Sequence, residues 1–258
     1  MPDVLILGCG YTGRRVAQRL LARGCTVICT ARNPREGVVA LDLEQSGAIG
    51  RLREMVTPGI RVLHSVPPLE GEMDRLAIEA VHDAARVVYL STTGVYGDAE
   101  FVDHTTAAVA DGPRIRTEQA VLNGPWSSLV LRPAAIYGPG RIARRKRRTA
   151  SIVSRIHVDD LAAHAEAALF SDVTGAWPVA DELPCPSREV AEFHAALLGV
   201  APPVPEPAAS HGRRVDGRAI RQRLGITLKY ASYRTGIPAA LEEERLMGDP
   251  RRGDAPMP

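Results

Sequence analysis

Short apolar stretches alternate along the chain with longer segments in which apolar residues recur every three or four positions. The short stretches predict β-strands and the longer segments predict amphipathic helices. The predicted strands are residues 3–7, 25–30, 37–41, 60–66, 86–91, 127–132 and 176–180. The predicted helices are residues 12–23, 45–56, 71–84, 114–123, 159–169, 187–198 and 238–247. This alternation predicts an α/β fold with a Rossmann-type, doubly wound, mostly parallel sheet.

The first predicted strand runs straight into a glycine-rich turn. Gly8, Gly10 and Gly13 form a Gly-x-Gly-x-x-Gly pattern that follows the strand and opens a helix. In such a turn the first glycine allows the sharp bend, the second lets a pyrophosphate approach the backbone, and the third lets the helix pack on the strand. The N–H groups of the helix N-terminus favour an anion. The pattern predicts a dinucleotide site, and the alternative is a turn whose glycines serve packing alone.

Ligands of this fold bind beyond the carboxyl ends of the strands, so the residues after each strand are candidates. Arg32 follows the second strand, and no acid occurs between Gly13 and Glu36. An arginine there can pair with a 2′-phosphate, which predicts NADP in preference to NAD; a solvated surface arginine is the alternative. After the third strand, Asp42 and Leu43 are placed to contact the adenine, while Asp42 is equally suited to cap the next helix.

The ends of the next two strands add further candidates. Ser65 and Pro67 follow the fourth strand, where prolines end the strand and carry the chain over the predicted cofactor, so both are assigned to cofactor binding. Ser91, Thr92 and Thr93 follow the fifth strand. Their hydroxyls are placed to bond a substrate oxygen beside a nicotinamide ring, or else to cap a turn.

Composition narrows the class of protein. The chain has 258 residues, 45% of them hydrophobic, which suits a globular core. A formal net charge of only +2 gives no electrostatic reason to expect nucleic acid. The four cysteines show no metal-ligand spacing, so no metal is predicted. The cysteine usage, the start of the chain in a core strand and the lack of a membrane-length apolar run predict a cytoplasmic protein with no membrane contact.

Two arginine-rich segments lie in the second half of the chain. Residues 144–148 read Arg-Arg-Lys-Arg-Arg, and residues 213–223 are predicted to form a surface helix. The first run suits either an anion clamp for a phosphorylated ligand or a solvated loop. A nucleic-acid site is disfavoured, because aromatic residues are only 4% of the chain and none lies within the run.

Four motifs occur in order: GCGYTG at 8–13, STTGVYGD at 91–98, LRPAAIYGPGR at 131–141 and RIHVDDLA at 155–162. With them the chain resembles the extended and atypical short-chain dehydrogenase/reductase superfamily, the NAD(P)-dependent epimerase/dehydratase group. The resemblance implies a Rossmann core interleaved with a small C-terminal substrate lobe. The implied division is a core of 1–135 with 157–180 returning to it, a substrate lobe of 136–156 and 181–247, and a disordered tail of 248–258.

The resemblance also implies roles for individual residues. The pyrophosphate would be held by Gly8, Gly10, Tyr11, Thr12 and Gly13. Thr92 takes the place of the family's active-site Ser/Thr, and Tyr137 and His157 fall in segments that line the family's cleft. These three are the candidate catalytic residues. Asp159 is predicted to cap the helix that follows, and dimers through a helix pair are common in the family.

The departure from the family pattern concerns proton transfer. The family uses a Tyr-x-x-x-Lys pair, in which the lysine lowers the pKa of the tyrosine. Here the residues four beyond each tyrosine are Arg15, Thr93, Glu100, Arg141, Arg234 and Ile237. Aligning Glu118 with the glutamate that often follows the pair puts Arg114 at the Lys position and Ala110 at the Tyr position. The proton would then come from Tyr96, Tyr137, His157 or a water held by Thr92, unless His157 only orders the hinge.

Three hypotheses remain open at the level of sequence. The first is an oxidoreductase or epimerase-like enzyme acting on a small carbonyl or sugar-type substrate, with an anionic one favoured by the basic run. The second is a non-catalytic NADP-binding sensor, which the missing pair supports. The third is an anion- or nucleic-acid-binding adaptor that uses the arginine run.

Overall fold

A computed structural model of the chain describes residues 1–33, 36–69, 71–109, 111–142, 149–202, 204 and 212–248. The strands of these residues are β1 (Val4–Leu7), β2 (Val27–Ala31), β3 (Val39–Ala40), β4 (Arg61–His64), β5 (Arg86–Leu90), β6 (Phe101–Val102), β7 (Ser127–Pro133), β8 (Ala135–Tyr137), β9 (Ile152–Val153), β10 (Arg155–His157), β11 (Gly175–Val179), β12 (Cys185–Pro186) and β13 (Gly212–Val215). Their helices are α1 (Tyr11–Ala22), α2 (Ala48–Met55), α3 (Glu72–Glu79), α4 (Pro113–Leu122), α5 (Val158–Leu169), α6 (Ser187–Leu198), α7 (Arg218–Leu224) and α8 (Tyr233–Met247). A 3₁₀ turn covers Thr93–Tyr96.

The central sheet has seven strands in the order β11-β7-β5-β4-β1-β2-β3. Every neighbouring pair in it is parallel. The strand β1 lies between β2 and β4 and is buried over its whole length, which explains its unbroken apolar run. The chain reverses its direction across the sheet between β3 and β4, so the crevice for a ligand opens at the carboxyl end of β1. The predicted α/β fold class is confirmed.

Helices cover both faces of this sheet. On one face α1 and α5 pack through residues such as Val16, Leu20 and Leu161. On the other face α2, α3 and α4 pack through residues such as Leu52 and Ile78. Two separate apolar layers therefore hold the sheet, and its strand ends remain available for a ligand.

Two small sheets lie beyond the carboxyl edge. One has the strand order β12-β9-β13-β6, and the other is the parallel pair β8 and β10. The strand β6 precedes α4 in the chain, yet it pairs with β13 more than a hundred positions later. The second lobe thus draws on both halves of the sequence. The division of the chain into a core and a substrate lobe stays a prediction.

Several predicted elements were wrong in their extent. The helix predicted to begin at Pro238 begins at Tyr233, because Ser232 caps it by accepting a hydrogen bond from the N–H of Arg234. The helix predicted over residues 213–223 is a strand up to Val215 and a helix from Arg218. The shorter strands were missed because two or three residues carry no measurable periodicity. No helix in the described part of the chain combines the length and apolar character needed to cross a membrane.

Candidate functional site

The glycine turn after β1 is tightly packed on one side and open on the other. Gly8 has φ of 85°, and a Cβ added to it would lie 3.0 Å from the carbonyl carbon of Ser65. A Cβ on Gly13 would lie 2.6 Å from the Gly8 carbonyl oxygen, whereas one on Gly10 would meet nothing within 4 Å. Gly8 and Gly13 are therefore needed for packing. Gly10 faces open space at the N-terminus of α1, whose first turn carries no acidic residue.

Tyr11 connects this turn to the second lobe. Its hydroxyl donates a hydrogen bond to the carbonyl oxygen of Pro139 at 3.0 Å, and the Arg141 guanidinium lies 4.0 Å from the centre of its ring. Burial raises the pKa of Tyr11 above its ordinary value, so its phenol stays protonated. The neighbouring Thr12 is buried at the start of α1. Arg141 also lines the cleft beside Thr92, so the glycine turn and this cleft share a wall.

The residues predicted on the adenosine side lie at the expected sheet edge but in different surroundings. Arg32 is exposed after β2 and forms no salt bridge within the described residues. The Asp42 carboxylate accepts hydrogen bonds from the N–H of Glu44 at 3.2 Å and from the side chain of Gln45 at 3.4 Å. It does not cap α2, which begins at Ala48 with Gly47 as its N-cap, so that alternative was wrong. Leu43 is buried in the apolar layer of α2. Arg32 thus remains open to a ligand, while Asp42 serves the local turn.

The segment after β4 closes the other side of the glycine turn. The N–H of Ser65 donates to the Leu7 carbonyl at 2.8 Å, which extends the pairing of β1 and β4 by one bond. The Ser65 backbone lies against Gly8, and Pro67, two residues further on, is exposed. His64, at the end of β4, is fully buried, and its pKa is lowered to about 4 by burial. His64 is a core residue.

The hydroxyl-rich segment after β5 points at the cleft. The Thr92 Oγ1 accepts a hydrogen bond from the N–H of Gly94 at 3.2 Å, so its own O–H remains to donate to a ligand. The hydroxyl of Ser91 donates instead to the buried carboxylate of Glu118. The Ser91 hydroxyl can therefore only accept a hydrogen bond from a ligand. Of these two hydroxyls, Thr92 is the one suited to polarise a substrate oxygen.

Arg213 fixes the shape of this segment from the far end of the sequence. Its guanidinium donates to the carbonyl oxygens of Thr93 and Gly97 and, through Nε at 3.0 Å, to that of Ala99. All of its nitrogens are used on the backbone of one loop. The position of the Thr92 hydroxyl therefore depends on β13, which carries Arg213.

A buried ion pair lies behind the hydroxyl segment, and no pattern in the sequence indicated it. Arg132 and Glu118 are 2.6 Å apart, and the Glu118 side chain is 2% exposed. Arg132 also donates to the Tyr96 hydroxyl at 3.2 Å. Burial raises the pKa of Tyr96, although Arg132 opposes the shift. Tyr96 thus belongs to a structural network and is a poor proton carrier at neutral pH.

Tyr137 and His157 stand edge to face, with ring centres 5.1 Å apart. Both are buried, and neither the Tyr137 hydroxyl nor the His157 Nε2 has a hydrogen-bond partner in the described part of the chain. Burial raises the pKa of Tyr137 and lowers that of His157 to about 4. Both side chains are therefore neutral at pH 7. Their burial and pKa shifts do not favour proton transfer, and their catalytic role stays a prediction.

His157 has a structural task in addition. Its Nδ1 accepts a hydrogen bond from the N–H of Asp159 at 3.2 Å, so His157 caps α5, and the prediction that Asp159 does so was wrong. Asp159 lies in the first turn of α5 instead, where it pairs with Arg15 at 3.0 Å. Arg15 also binds Glu243 of α8. The hinge between α1, α5 and α8 is thus held by hydrogen bonds and charges around His157.

The positions aligned with the family's Tyr-x-x-x-Lys pair are only partly described. Arg114, at the Lys position, donates to the Tyr89 hydroxyl at 3.2 Å. Ala110, at the Tyr position, lies outside the described residues, as do residues 143–148 with the arginine run and residues 249–258 of the predicted tail. Arg114 therefore binds a phenol of the core strand β5.

A cleft of about 990 Å³ opens between the hydroxyl segment, the stretch from Pro133 to Ile142, and α6. Thr92, Tyr137 and Arg141 all line it, so the structure brings two of the three predicted catalytic residues to one cavity. Because Arg141 also stacks on Tyr11, the cleft and the glycine turn are adjacent. This arrangement can hold a dinucleotide on one side and a small molecule on the other.

The sequence is similar to a known protein over part of its length, and the fold is similar to solved structures over most of it. No protein-family model matches the sequence. A 3-diazoavenalumate denitrifying reductase from a Streptomyces species is 33% identical over 120 residues, which are 41% of this chain and 38% of that protein. The chain therefore covers well under half of the length of that reductase.

The solved structures match over nearly the whole chain. A functionally unknown conserved protein from Silicibacter pomeroyi is 28% identical, with a TM-score of 0.74 and coverage of 94% of this chain and 99% of that one. A protein assigned to the NAD-dependent epimerase/dehydratases from Methylobacillus flagellatus is 25% identical, with a TM-score of 0.77 and coverage of 95% and 99%. The UDP-glucose 4-epimerase of Thermus thermophilus, in complex with NAD, shares the fold at 20% identity, with a TM-score of 0.78 and coverage of 95% and 99%. These neighbours confirm the resemblance that the four motifs indicated.

Proposed function

We propose that this protein is an NAD(P)-dependent enzyme of reductase or epimerase type that acts on a small carbonyl or sugar-type substrate. One observation carries the proposal: Gly10 faces open space at the carboxyl end of β1, next to a cleft into which Thr92 can donate a hydrogen bond. The Streptomyces reductase and the epimerase/dehydratase neighbour support the same class of reaction.

The residues around the glycine turn fit a nicotinamide dinucleotide. Gly10 leaves the space that a pyrophosphate needs, and the N-terminus of α1 offers backbone N–H groups without a competing acid in its first turn. Tyr11 and Thr12 follow Gly10 at the start of α1, and the Ser65 backbone, two residues before Pro67, lies against Gly8. When bound, the cofactor would supply or accept a hydride. Arg32 supports a preference for NADP, because an exposed cation without a salt bridge in the described residues can pair with a 2′-phosphate.

Thr92 would orient the reacting oxygen of the substrate. Its O–H donates to that oxygen while the N–H of Gly94 holds its Oγ1 in place. Tyr137 lines the cleft with a phenol that stays protonated, and the neutral His157 ring packs against it. In the absence of a tyrosine activated by lysine, a water bound at Thr92 is the proton source that the geometry favours.

The test begins with cofactor binding. Calorimetry with NADPH and NADH should give binding to the wild type and none to Gly10→Val, whose side chain would fill the pyrophosphate space. Gly50→Val is the matched control, since Gly50 also has nothing within 4 Å of an added Cβ but lies in α2. Oxidation of NADPH with a panel of aldehydes, ketones and UDP-sugars then measures turnover. No binding of either cofactor by folded protein would refute the proposal.

A second candidate is a non-catalytic NADP-binding sensor. It is favoured by the same burial that keeps Tyr137 and His157 neutral, together with the missing Tyr-x-x-x-Lys pair. The two candidates differ in one measurement. A sensor should resist proteolysis to a different degree with NADPH bound than with NADP⁺ bound. It should neither oxidise NADPH nor reduce NADP⁺ with any compound of the panel.

A further inference from the structure

The charged side chains around the cleft are of one sign. Arg141, Arg155 and Arg213 line it, and no aspartate or glutamate does so among the described residues. His194 is also part of the wall, but burial lowers its pKa, so it contributes little charge at pH 7. Low-dielectric walls that carry one sign of charge concentrate ions of the opposite sign. The occupant of the cleft is therefore expected to be an anion.

Two of the three arginines are already engaged. Arg213 donates all of its nitrogens to the carbonyl oxygens of the loop after Thr92. Arg141 stacks on Tyr11 at 4.0 Å, on the side of the glycine turn. These two therefore serve the loop and the nucleotide side of the cleft.

Arg155 differs from both. It is 9% exposed, and its Nη1 donates to the Val153 carbonyl at 2.8 Å and to the Cys185 sulfur at 3.3 Å. Its Nε and Nη2 have no hydrogen bond, and it forms no salt bridge, in the part of the chain that the structure describes. Asp181 interacts with it over a longer distance, but burial raises the pKa of Asp181 to about 7. A buried cation without a paired anion is unfavourable unless a ligand brings the anion.

The wall next to Arg155 is apolar. Along α6 and just after it, Val190, Ala191, Leu198 and Val200 line the cleft. Leu198 is 50% exposed and Val200 is 56% exposed, although both border a cavity. Large apolar side chains that remain exposed at a cavity are characteristic of a surface that a ligand covers. The occupant therefore needs an apolar body beside its anionic group.

We propose that the cleft binds an organic acid whose carboxylate pairs with Arg155 and whose apolar body, aromatic or aliphatic, lies along α6. The proposal rests on the proposed function, because the carbonyl of the same molecule would be held by Thr92. A guanidinium with two unused donor groups matches the two oxygens of a carboxylate. A sugar nucleotide fits this surface less well, since it would set hydroxyl groups against Val190 and Leu198.

The experiment compares two ligands of equal shape and different charge. Calorimetry measures the binding of 4-formylbenzoate and of its neutral analogue 4-formylbenzamide to the protein saturated with NADP⁺, with UDP-glucose as a third ligand. The benzoate is expected to bind roughly 10- to 100-fold more tightly than the amide, as for a charge-assisted hydrogen bond. Arg155→Met keeps the apolar stem of the side chain and should abolish the preference for benzoate over the amide. Arg188→Met, in α6 and outside the residues that line the cleft, should leave the ratio unchanged.

The outcomes separate this inference from the proposed function. Equal affinity for benzoate and amide, or a benzoate preference that survives Arg155→Met, overturns the inference, as does tighter binding of UDP-glucose. Reduction of both aldehydes at equal efficiency would support the proposed reductase activity and would refute the carboxylate site at Arg155. If Arg155→Met does not fold, Arg155→Lys is used, and it should lower the ratio severalfold because lysine cannot form the two-pronged contact. Benzoate binding that depends on Arg155 without any NADPH affinity would support the acid site and refute the reductase.

Discussion

The Tyr137 hydroxyl lies directly against Gly236 of α8, so that a methyl group built on the glycine would come within 2.1 Å of the phenolic oxygen. The ring of Tyr137 is 5% exposed and forms part of the cleft wall. The position of this wall is therefore set by a helix of the C-terminal segment. A glycine is required in the first turn of that helix because any side chain would displace the ring.

Gly236→Ala is expected to lower the free energy of unfolding by about 1–3 kcal/mol, as overpacking in a core does. Gly50→Ala is the control, since an added Cβ there meets no atom within 4 Å and alanine is the better helix former. Urea unfolding of both variants gives the comparison. Adding Tyr137→Phe to Gly236→Ala should recover part of the loss, and an unchanged loss would show that the hydroxyl contact is not responsible.

Thr92→Val should lower kcat by roughly 100-fold on any substrate that the panel identifies, because a hydrogen-bond donor to the reacting oxygen is removed. Thr92→Ser keeps the hydroxyl and should retain most of the activity. Because Thr92 also caps the 3₁₀ turn, the melting temperature of each variant is measured alongside. Full activity in Thr92→Val would place the reacting oxygen elsewhere in the cleft.

Arg32→Asp should weaken NADPH binding by roughly 10- to 100-fold, because a charge-assisted contact to the 2′-phosphate becomes a repulsion. NADH affinity should change by less than about threefold. Arg53→Asp, an exposed charge reversal in α2, controls for the change of net charge. Titration of both cofactors by fluorescence provides the affinities, and a parallel loss for NADPH and NADH would argue against a phosphate contact at Arg32.

Asp181 gives a prediction about pH. Burial raises its pKa to about 7, and its Oδ2 has no hydrogen-bond partner among the described residues. The folded state therefore binds a proton that the unfolded state releases near its ordinary pKa of about 3.9. The stability that this proton contributes is complete below about pH 4 and is lost as the pH rises to about 7.

Asp181→Asn removes this dependence. Between pH 4 and pH 8 the free energy of unfolding of the wild type should fall by at most about 4 kcal/mol relative to that of the variant. This corresponds to about 1.36 kcal/mol per unit of pKa shift. The buried histidines His64, His157 and His164, each with a pKa lowered to about 4, act in the opposite direction in both proteins and cancel in the difference. A difference in unfolding free energy that stays constant with pH would show that Asp181 is not protonated in the folded state.

Local patterns were sufficient for the central sheet. The apolar run of β1 and the spacing of Gly8, Gly10 and Gly13 predicted strand, turn and helix correctly, because each depends on neighbours within about ten residues. The position of Thr92 just after β5 was predicted in the same way, while its catalytic role stays a prediction. The two-residue strands of the second lobe could not be predicted, since their pairing depends on partners far away in the chain.

The chemistry of the site was harder to predict for the same reason. The pair of Glu118 and Arg132 joins α4 to β7, and its burial follows from the packing of both elements. His157 replaced Asp159 as the cap of α5 because β10 places the ring at the first turn. Arg155 stood inside a recognised motif, but its lack of a carboxylate partner depends on three-dimensional surroundings.

The contact between Arg213 and the loop after Thr92 has a consequence for biosynthesis. Arg213 lies 120 residues after Thr93 in the sequence, so the ribosome makes it much later than the loop that it holds. The glycine turn and the strands on either side of β1 are complete long before Arg213 has been made. Nascent chains that end before β13 therefore contain the glycine turn and the strands beside it, but lack the guanidinium that holds the loop after Thr92.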